Sequence, residues 1–371
     1  MFDYFTNSLS ALSTYFKGPP VTLVDDKTKV PLRLAEKTEI NYNTRKFRFS
    51  LPSDSHVLGI APGQHVCLSA TINGKLVVRS YTPVSDCTAQ GYVEIIVKIY
   101  FRGHPSFPEG GKMSQHLDSL KIGDSVDFRG PTGSILYKGA GKFSFKKLST
   151  EKDYKTISMV AGGSGLTPML QIISTIIRNP SDQTEIRFIF ANSEEKDILC
   201  QEILEELVEK ASGRLKVYHL VSKPTGSWKG CRGRVGHDEI KKHFFPPGED
   251  HLVLLCGPVP MVNESCKPSL EKLGYSKDHL INTWTTTMAD SSICPSHLCT
   301  PLEPIPLPHG PLSRFQRARI IGWIGLAVSL GAFVAHYGAQ KLAYYDIFKP
   351  EPEGKSEEKA GYKKTKENDK K

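Results

Sequence analysis

The feature that most constrains this chain is a change of period near residue 154. Before it, the sequence reads as short strands cut by turns, among them 47–51, 65–72, 76–81 and 91–100. After it, apolar strands alternate with helices. A strand at 156–161 leads to a helix ending at Arg178, and a strand at 185–191 to a helix through Lys210. Strands at 215–221 and 252–256 follow, then a last helix ending near Gly274. Closely spaced strands suggest an antiparallel barrel or sandwich, whereas strand-helix alternation demands a parallel sheet with crossover helices. The expected fold is therefore β followed by α/β, and 371 residues hold both with something left over.

Within the first region the clearest strand covers 93–100, where Val93, Ile95, Val97 and Ile99 share one face while Ile96 and Lys98 share the other. One face is core; the other borders a site or solvent. A helix is expected to open at Lys112-Met113-Ser114, directly after the chain-breaking pair Gly110-Gly111. With 39% hydrophobic and 23% charged residues, wholesale disorder and a polytopic membrane protein are both excluded. The net charge is 48 − 39 = +9, but 12 − 7 = +5 of it lies in residues 314–371, outside the two compact regions, so no nucleic-acid partner follows from it. Eight scattered cysteines contain no C-x-x-C pair, so no metal site is expected and a reducing compartment is the simplest reading.

The two ends differ from the middle. Residues 1–20 lack a signal-peptide pattern, and their aromatics suit either a short interfacial helix or packing on the domain. Met-Phe in place of Met-Gly excludes N-myristoylation. Beyond Trp284, a Pro-rich linker (285–313) precedes residues 320–340, which carry no formal charge over 21 positions. As a helix that segment spans about 31 Å, against roughly 30 Å of bilayer hydrocarbon, so a C-terminal transmembrane helix within 314–348 is expected. The competing reading, a buried soluble helix, lacks a third domain to bury it. Residues 349–371 have 14 charges in 23 positions and read as a solvated tail. Arg314, Arg317 and Arg319 before the span balance Lys341, Lys349 and Lys355 after it, so charge does not choose its direction.

Four motifs carry chemistry. In Arg79-Ser80-Tyr81-Thr82-Pro83 a guanidinium can grip phosphate, a tyrosine can lie along a flat ring and a hydroxyl can bond a ring nitrogen; alone, it could be a charged edge strand. Gly110-Gly111-Lys112-Met113-Ser114 offers free amides at a helix start. The third motif runs Gly162-Gly163-Ser164-Gly165-Leu166-Thr167-Pro168 between a strand and a helix, the arrangement that lets backbone amides approach a pyrophosphate. The fourth, Cys256-Gly257-Pro258-Val259-Pro260-Met261, ends another strand at the same sheet edge.

In this order, the four motifs resemble the ferredoxin-NADP reductase superfamily, and residues 21–284 more narrowly resemble NADH-cytochrome b5 reductases. The resemblance implies an FAD-binding barrel domain at 21–150 and an NAD(P)H-binding domain at 151–284. It implies that Arg79, Ser80, Tyr81 and Thr82 hold the flavin, with Ile96, Lys98 and Phe101 lining it from the neighbouring strand, and that Lys112, Met113 and Ser114 anchor its pyrophosphate. Thr167 is expected to reach the flavin from the second domain, while Gly162, Gly163, Gly165 and Pro168 shape the nucleotide site. Cys256 is expected beside the nicotinamide, with Gly257, Pro258 and Met261 in that wall. Cys256, Thr82 and Lys98 are the expected catalytic residues. The implied cofactors are FAD and NADH, and the implied acceptor is cytochrome b5 or a similar haem protein.

Several departures from the family pattern bear on these expectations. The family's N-terminal anchor is missing here, so the C-terminal span would replace it, holding a cytosol-facing reductase domain on the endoplasmic reticulum or a mitochondrial membrane. Ser80 and Ser164 stand where the family usually shows Pro and Thr. Val221 stands where it commonly has Asp, which leaves NADPH open as an alternative nucleotide. Two other readings stay open. The same chemistry could serve another acceptor, such as a quinone or a fused electron carrier. Residues 288–371 also weakly resemble small single-span subunits of mitochondrial respiratory complexes, which would make the chain a fusion, or a joined gene model, of an enzyme with a structural subunit.

Overall fold

The computed structural model describes residues 18–103, 108–145 and 150–283. Its first domain is organised by β1 (Asp25–Asn41), a strand long enough to pair twice. Its first half lies antiparallel to β6 (Ser125–Thr132) and its second half to β2 (Thr44–Ser50). With β3 (His65–Ile72), β4 (Lys75–Tyr81) and β5 (Tyr92–Lys98) the sheet order is β4-β3-β6-β1-β2-β5. Just past β4, Pro83 bridges to Ile95 and the Val84 amide donates to the Glu94 carbonyl at 2.9 Å, so the first and last strands meet. The antiparallel sheet closes as a barrel.

Alternation decides which face is core. In β2, Phe47 and Phe49 are fully buried while Lys46 and Arg48, which alternate with them, turn outward. The Phe49 and Phe128 rings meet edge-on at 5.0 Å. Each such phenylalanine contributes about 2–3 kcal/mol relative to an exposed ring. The barrel's connecting helix, α1, spans Lys112–Ser119.

A small antiparallel sheet follows: β7 (Ile135–Gly139), β8 (Lys142–Phe145) and β9 (Thr150–Asp153). Its buried face, with Tyr137, Phe143 and Phe145, packs into the same core as Ile157, Met169 and Phe188 of the second domain. That core therefore reaches back to Ile135, ahead of the division drawn at residue 150 from sequence.

The second domain runs β10 (Thr156–Gly162), α2 (Leu166–Arg178), β11 (Glu185–Asn192), α3 (Gln201–Lys210), β12 (Leu215–Val221), β13 (Cys231–Arg232), α4 (His237–His243), β14 (His251–Cys256), α5 (Lys267–Lys272) and β15 (Leu280–Asn282). All strand pairs are parallel, in the order β13-β12-β11-β10-β14-β15. β14 is buried along its whole length, and β10 everywhere except Thr156, as expected when helices cover both faces. The chain winds outward from β10 to β13, then returns to β14 on the other side of β10. This reversal opens a crevice at the carboxyl ends of β10 and β14.

The last expected helix is not uniform. Met261–Cys266 is a π-helical turn, and α5 begins only at Lys267. Pro268 has no N–H to offer the Glu264 carbonyl, so the backbone widens just ahead of it. Among the described residues no helix is long and apolar enough to cross a membrane. The expected span at 320–340, the Pro-rich linker, the charged tail, Trp284 and the N-terminal segment before Gly18 lie outside the described residues.

Candidate active site

β4 delivers the first motif to the barrel surface. Arg79 is exposed, and among the described residues its guanidinium makes one hydrogen bond, Nη1 donating to the Val78 carbonyl at 2.7 Å. The Tyr81 ring packs against the barrel core, and burial pushes its phenol well above the ordinary range despite Arg79 nearby. Ser80 and Thr82 are half-buried beside it. From β5, Ile96 is buried and Lys98 half-buried, while Phe101 just beyond is 46% exposed. An exposed cation, an aromatic edge and a large exposed ring thus share one side of the barrel.

The second motif is a backbone cradle. Gly111 donates to the Tyr100 carbonyl at 2.8 Å, and a Cβ placed on it would lie 2.5 Å from Ser114 Oγ and 3.2 Å from Tyr100 Cβ. Gly110, at φ +68°, would meet the Tyr100 carbonyl at 2.4 Å. Only glycine fits either place. Among the described residues no side chain caps α1, so its first amides point outward. The expected roles within this motif divide accordingly. Met113 is 2% exposed and belongs to the barrel core, and the Ser114 hydroxyl already donates to the Gly111 carbonyl and accepts from the Tyr100 amide. What Met113 and Ser114 present to an anion is backbone; Lys112 supplies the charge.

Across the crevice, the third and fourth motifs pack backbone to backbone. A Cβ on Gly165 would lie 2.4 Å from the Cys256 carbonyl oxygen and 3.1 Å from Cys256 Sγ. One on Gly162 would meet Pro258 Cδ at 2.7 Å and Met261 Sδ at 3.0 Å. Gly163 takes φ +54°, and Thr167 Oγ1 donates to the Ser164 carbonyl at 3.4 Å. Pro168 sits buried in the first turn of α2, where its missing N–H costs nothing. Cys256 is fully buried, and burial pushes its thiol up to about 12, with the Thr283 hydroxyl pulling weakly the other way. At neutral pH this thiol is a protonated packing group, neither nucleophile nor acid. The Gly163–Gly165 turn also lies against β5, which brings the two halves of the site together.

Comparison with known proteins settles the family. The chain matches the model of the oxidoreductase FAD-binding domain over residues 31–137 and that of the oxidoreductase NAD-binding domain over 159–267. It is 52% identical to NADH-cytochrome b5 reductase 1 of Bos taurus over 265 residues, 70% of this chain and 87% of that protein. It is 51% identical to NADH-cytochrome b5 reductase 2 of Xenopus tropicalis, over 72% of this chain and 90% of the other. The chain belongs to the NADH-cytochrome b5 reductase family. The crystal structure of the cytochrome b5 reductase domain of Ulva prolifera nitrate reductase is also similar, with a TM-score of 0.67 and 38% identity over 71% of this chain and 99% of that one. As a member of the NADH-cytochrome b5 reductase family, the protein is an oxidoreductase with an FAD-binding and an NAD-binding domain.

The residues present fit both groups. The Gly110-Gly111 cradle and uncapped α1 suit a pyrophosphate, with Arg79 as a second anion grip. In the crevice, Asn192 at the end of β11 has both amide atoms buried without a hydrogen-bond partner, although the residue is only 8% exposed. Such a group is free to bond a ligand or an ordered water. Asn192 escaped the sequence reading, although it could have been found from its place at a strand's carboxyl end beside the glycine turn. Lys98, expected at the flavin, has Nζ 3.4 Å from Asp197 Oδ1 on the second domain. Asp197 also accepts from the Tyr42 hydroxyl at 2.7 Å. Burial would raise this carboxyl, but Tyr42 and Lys98 outweigh it and hold it below the ordinary range.

Proposed function

We propose that this chain takes a hydride from NADH onto FAD and passes the electrons singly to cytochrome b5. The observation that carries the reading is the meeting of the Gly163–Gly165 turn with β5, which sets the wall holding Cys256 against the strand holding Ile96 and Lys98. Bound FAD supplies the exchange between one two-electron step and two one-electron steps. The protein's own residues bind, orient and exclude water. Arg79, Ser80, Tyr81 and Thr82 hold the flavin from β4, and Ile96 and Phe101 line it from β5. The α1 amides and Lys112 hold its pyrophosphate. Gly162, Gly163, Gly165 and Pro168 admit the nucleotide, Asn192 bonds it, and Thr167 approaches the flavin from the second domain. Cys256, Gly257, Pro258 and Met261 form the wall that fixes the nicotinamide plane. Lys98 and Asp197 set the spacing between the domains.

The reductase is held at a membrane by residues 320–340, with its catalytic part facing the cytosol, on the endoplasmic reticulum or a mitochondrial membrane. Support for this comes from the uncharged 21-residue run alone. The deciding assay is steady-state reduction of purified cytochrome b5 by NADH, with a flavin spectrum of the same sample. Rapid NADH-dependent reduction is expected, and a yellow protein that reduces ferricyanide but not cytochrome b5 would move the reading to another acceptor. Residues 288–371, beyond both domain matches, keep the fusion with a structural subunit as a second reading. Peptides spanning 280–295 in the native protein are expected if the two parts form one polypeptide.

A further inference from the structure

A cluster away from the active site joins three different metal-ligating groups. Cys231 lies on the edge strand β13, and Glu239 and His243 lie one turn apart on α4. Their ligand atoms all lie within 4.8 Å of one another. Cys231 Sγ is 3.6 Å from His243 Nε2, and the same nitrogen is 3.3 Å from Glu239 Oε2. With metal-ligand lengths of about 2.3 Å to sulfur and about 2.0–2.2 Å to nitrogen or oxygen, tetrahedral zinc would separate S from N by about 3.6 Å and N from O by about 3.4 Å. The two observed edges match that figure.

Hydrogen bonding alone leaves the three groups poorly satisfied. One ring nitrogen carries either a proton or a lone pair, so the best that hydrogen bonding offers is one Nε2–H divided between the carboxylate and the weakly accepting sulfur. A cation at the shared centre satisfies all three. The ligands are also held in advance: the Tyr218 ring lies against the His243 ring, tilted by 37° with centroids 4.0 Å apart, and Trp228 Nε1 donates to the Cys231 carbonyl at 2.9 Å. His243 is 8% exposed and Glu239 25%, so the carboxylate side opens to solvent. A fourth, water-filled position belongs there.

We propose that Cys231, Glu239 and His243 bind one Zn2+ ion, fastening β13 to α4. A thiolate beside an imidazole excludes magnesium and calcium. On binding, the S–H bond breaks, its proton passes to water, and a sulfur-zinc bond forms without change of oxidation state. Nothing in the sequence announces this site, because a spacing of eight and four residues matches no common cysteine-histidine pattern.

The test uses the FAD-loaded full chain, stripped with chelator and dialysed against Zn2+ or Co2+. One tight equivalent of zinc is expected, together with a thiolate-to-cobalt charge-transfer band in the difference spectrum. Cys231→Ser should abolish that band and weaken zinc at least tenfold, roughly the loss typical of altered metal sites. Cys87→Ser, a cysteine in the other domain, should change neither. Glu239→Gln gives an independent check on a half-exposed position, with flavin content confirming the fold; it should also lower zinc affinity. The proposal is overturned if no cobalt-thiolate band forms, or if Cys231→Ser and Glu239→Gln bind zinc as the parent does.

Discussion

The two halves of the active site are built in opposite ways. On the barrel, the groups that meet a ligand stand out from it: Arg79 and Phe101 are exposed, and α1 presents amides that no described side chain caps. In the crevice, Cys256 is fully buried, and Gly162 and Gly165 leave no room for even a methyl group against Pro258 and Cys256. The first surface is completed by a group that stays. The second is walled by its own close-packed backbone and can receive a nucleotide at every turnover. Side chains that wait to be covered suit a resident cofactor, whereas a close-packed backbone wall suits a visitor.

The largest effect tests how rigid the crevice side is, from the far end of β14. Burial holds the His251 imidazole down at about 4, although its hydrogen bond to the Thr156 backbone pulls it up, while His279 and Arg187 press it further down. Between 6.5 and about 4 the unfolded chain therefore takes up a proton that the folded chain refuses, so stability falls as pH drops through that window. The loss reaches about 3 kcal/mol at its acid end. Thermal midpoints of the holoenzyme from pH 7 to 4.5 should fall steeply, and His251→Gln should flatten that slope.

Next comes the wall itself. Cys256→Ala should slow flavin reduction by NADH about a hundredfold while FAD stays bound, because a small displacement of the turn at Gly165 misplaces the nicotinamide. Stopped-flow reduction at the parental rate would make Cys256 an ordinary core thiol and blur the contrast between the two surfaces. On the barrel the expected failure is the reverse. Arg79→Ala loses a charged grip worth about 2 kcal/mol, so the protein should purify pale and regain colour only with excess FAD.

The sequence carried the architecture further than it carried the site. Apolar runs at 156–161 and 252–256 announced buried parallel strands, and the glycine turn announced the crevice, because both follow from local periodicity and backbone demands. The ends of β5 did not follow. An extended run to Tyr100 was expected, but Ile99 donates to the Asn43 carbonyl at 2.6 Å and Tyr100 turns to meet Gly111 and Ser114. Met113 was expected at a pyrophosphate, and only its side chain is settled in the core, since a helix start shows its amides to a ligand and its apolar side chain to the barrel. The contact of Tyr42 and Lys98 with Asp197 was invisible, because it joins residues 155 and 99 positions apart in a geometry that only the folded domains create.

The smallest expected effect concerns nucleotide choice. Val221 ends β12 opposite Asn192 and is fully buried, so it can neither bond a ribose hydroxyl nor repel a 2′-phosphate. NADPH should serve within about tenfold of NADH, a difference of roughly 1.4 kcal/mol or less. Paired kcat/KM values check this, and Val221→Asp should widen the gap toward NADH.

The closure of the barrel at Pro83 and Ile95 has a consequence for life in a crowded cell. An open sheet presents a row of unpaired amides and carbonyls on which another chain can add a strand, and long exposed edges seed aggregates. Here the barrel's outer strands meet each other, and the parallel sheet ends in strands of two and three residues, β13 and β15. Such short rims offer little template for a neighbour. Copies of this reductase at high local concentration should therefore stay dispersed, with the backbone itself giving them little reason to stick.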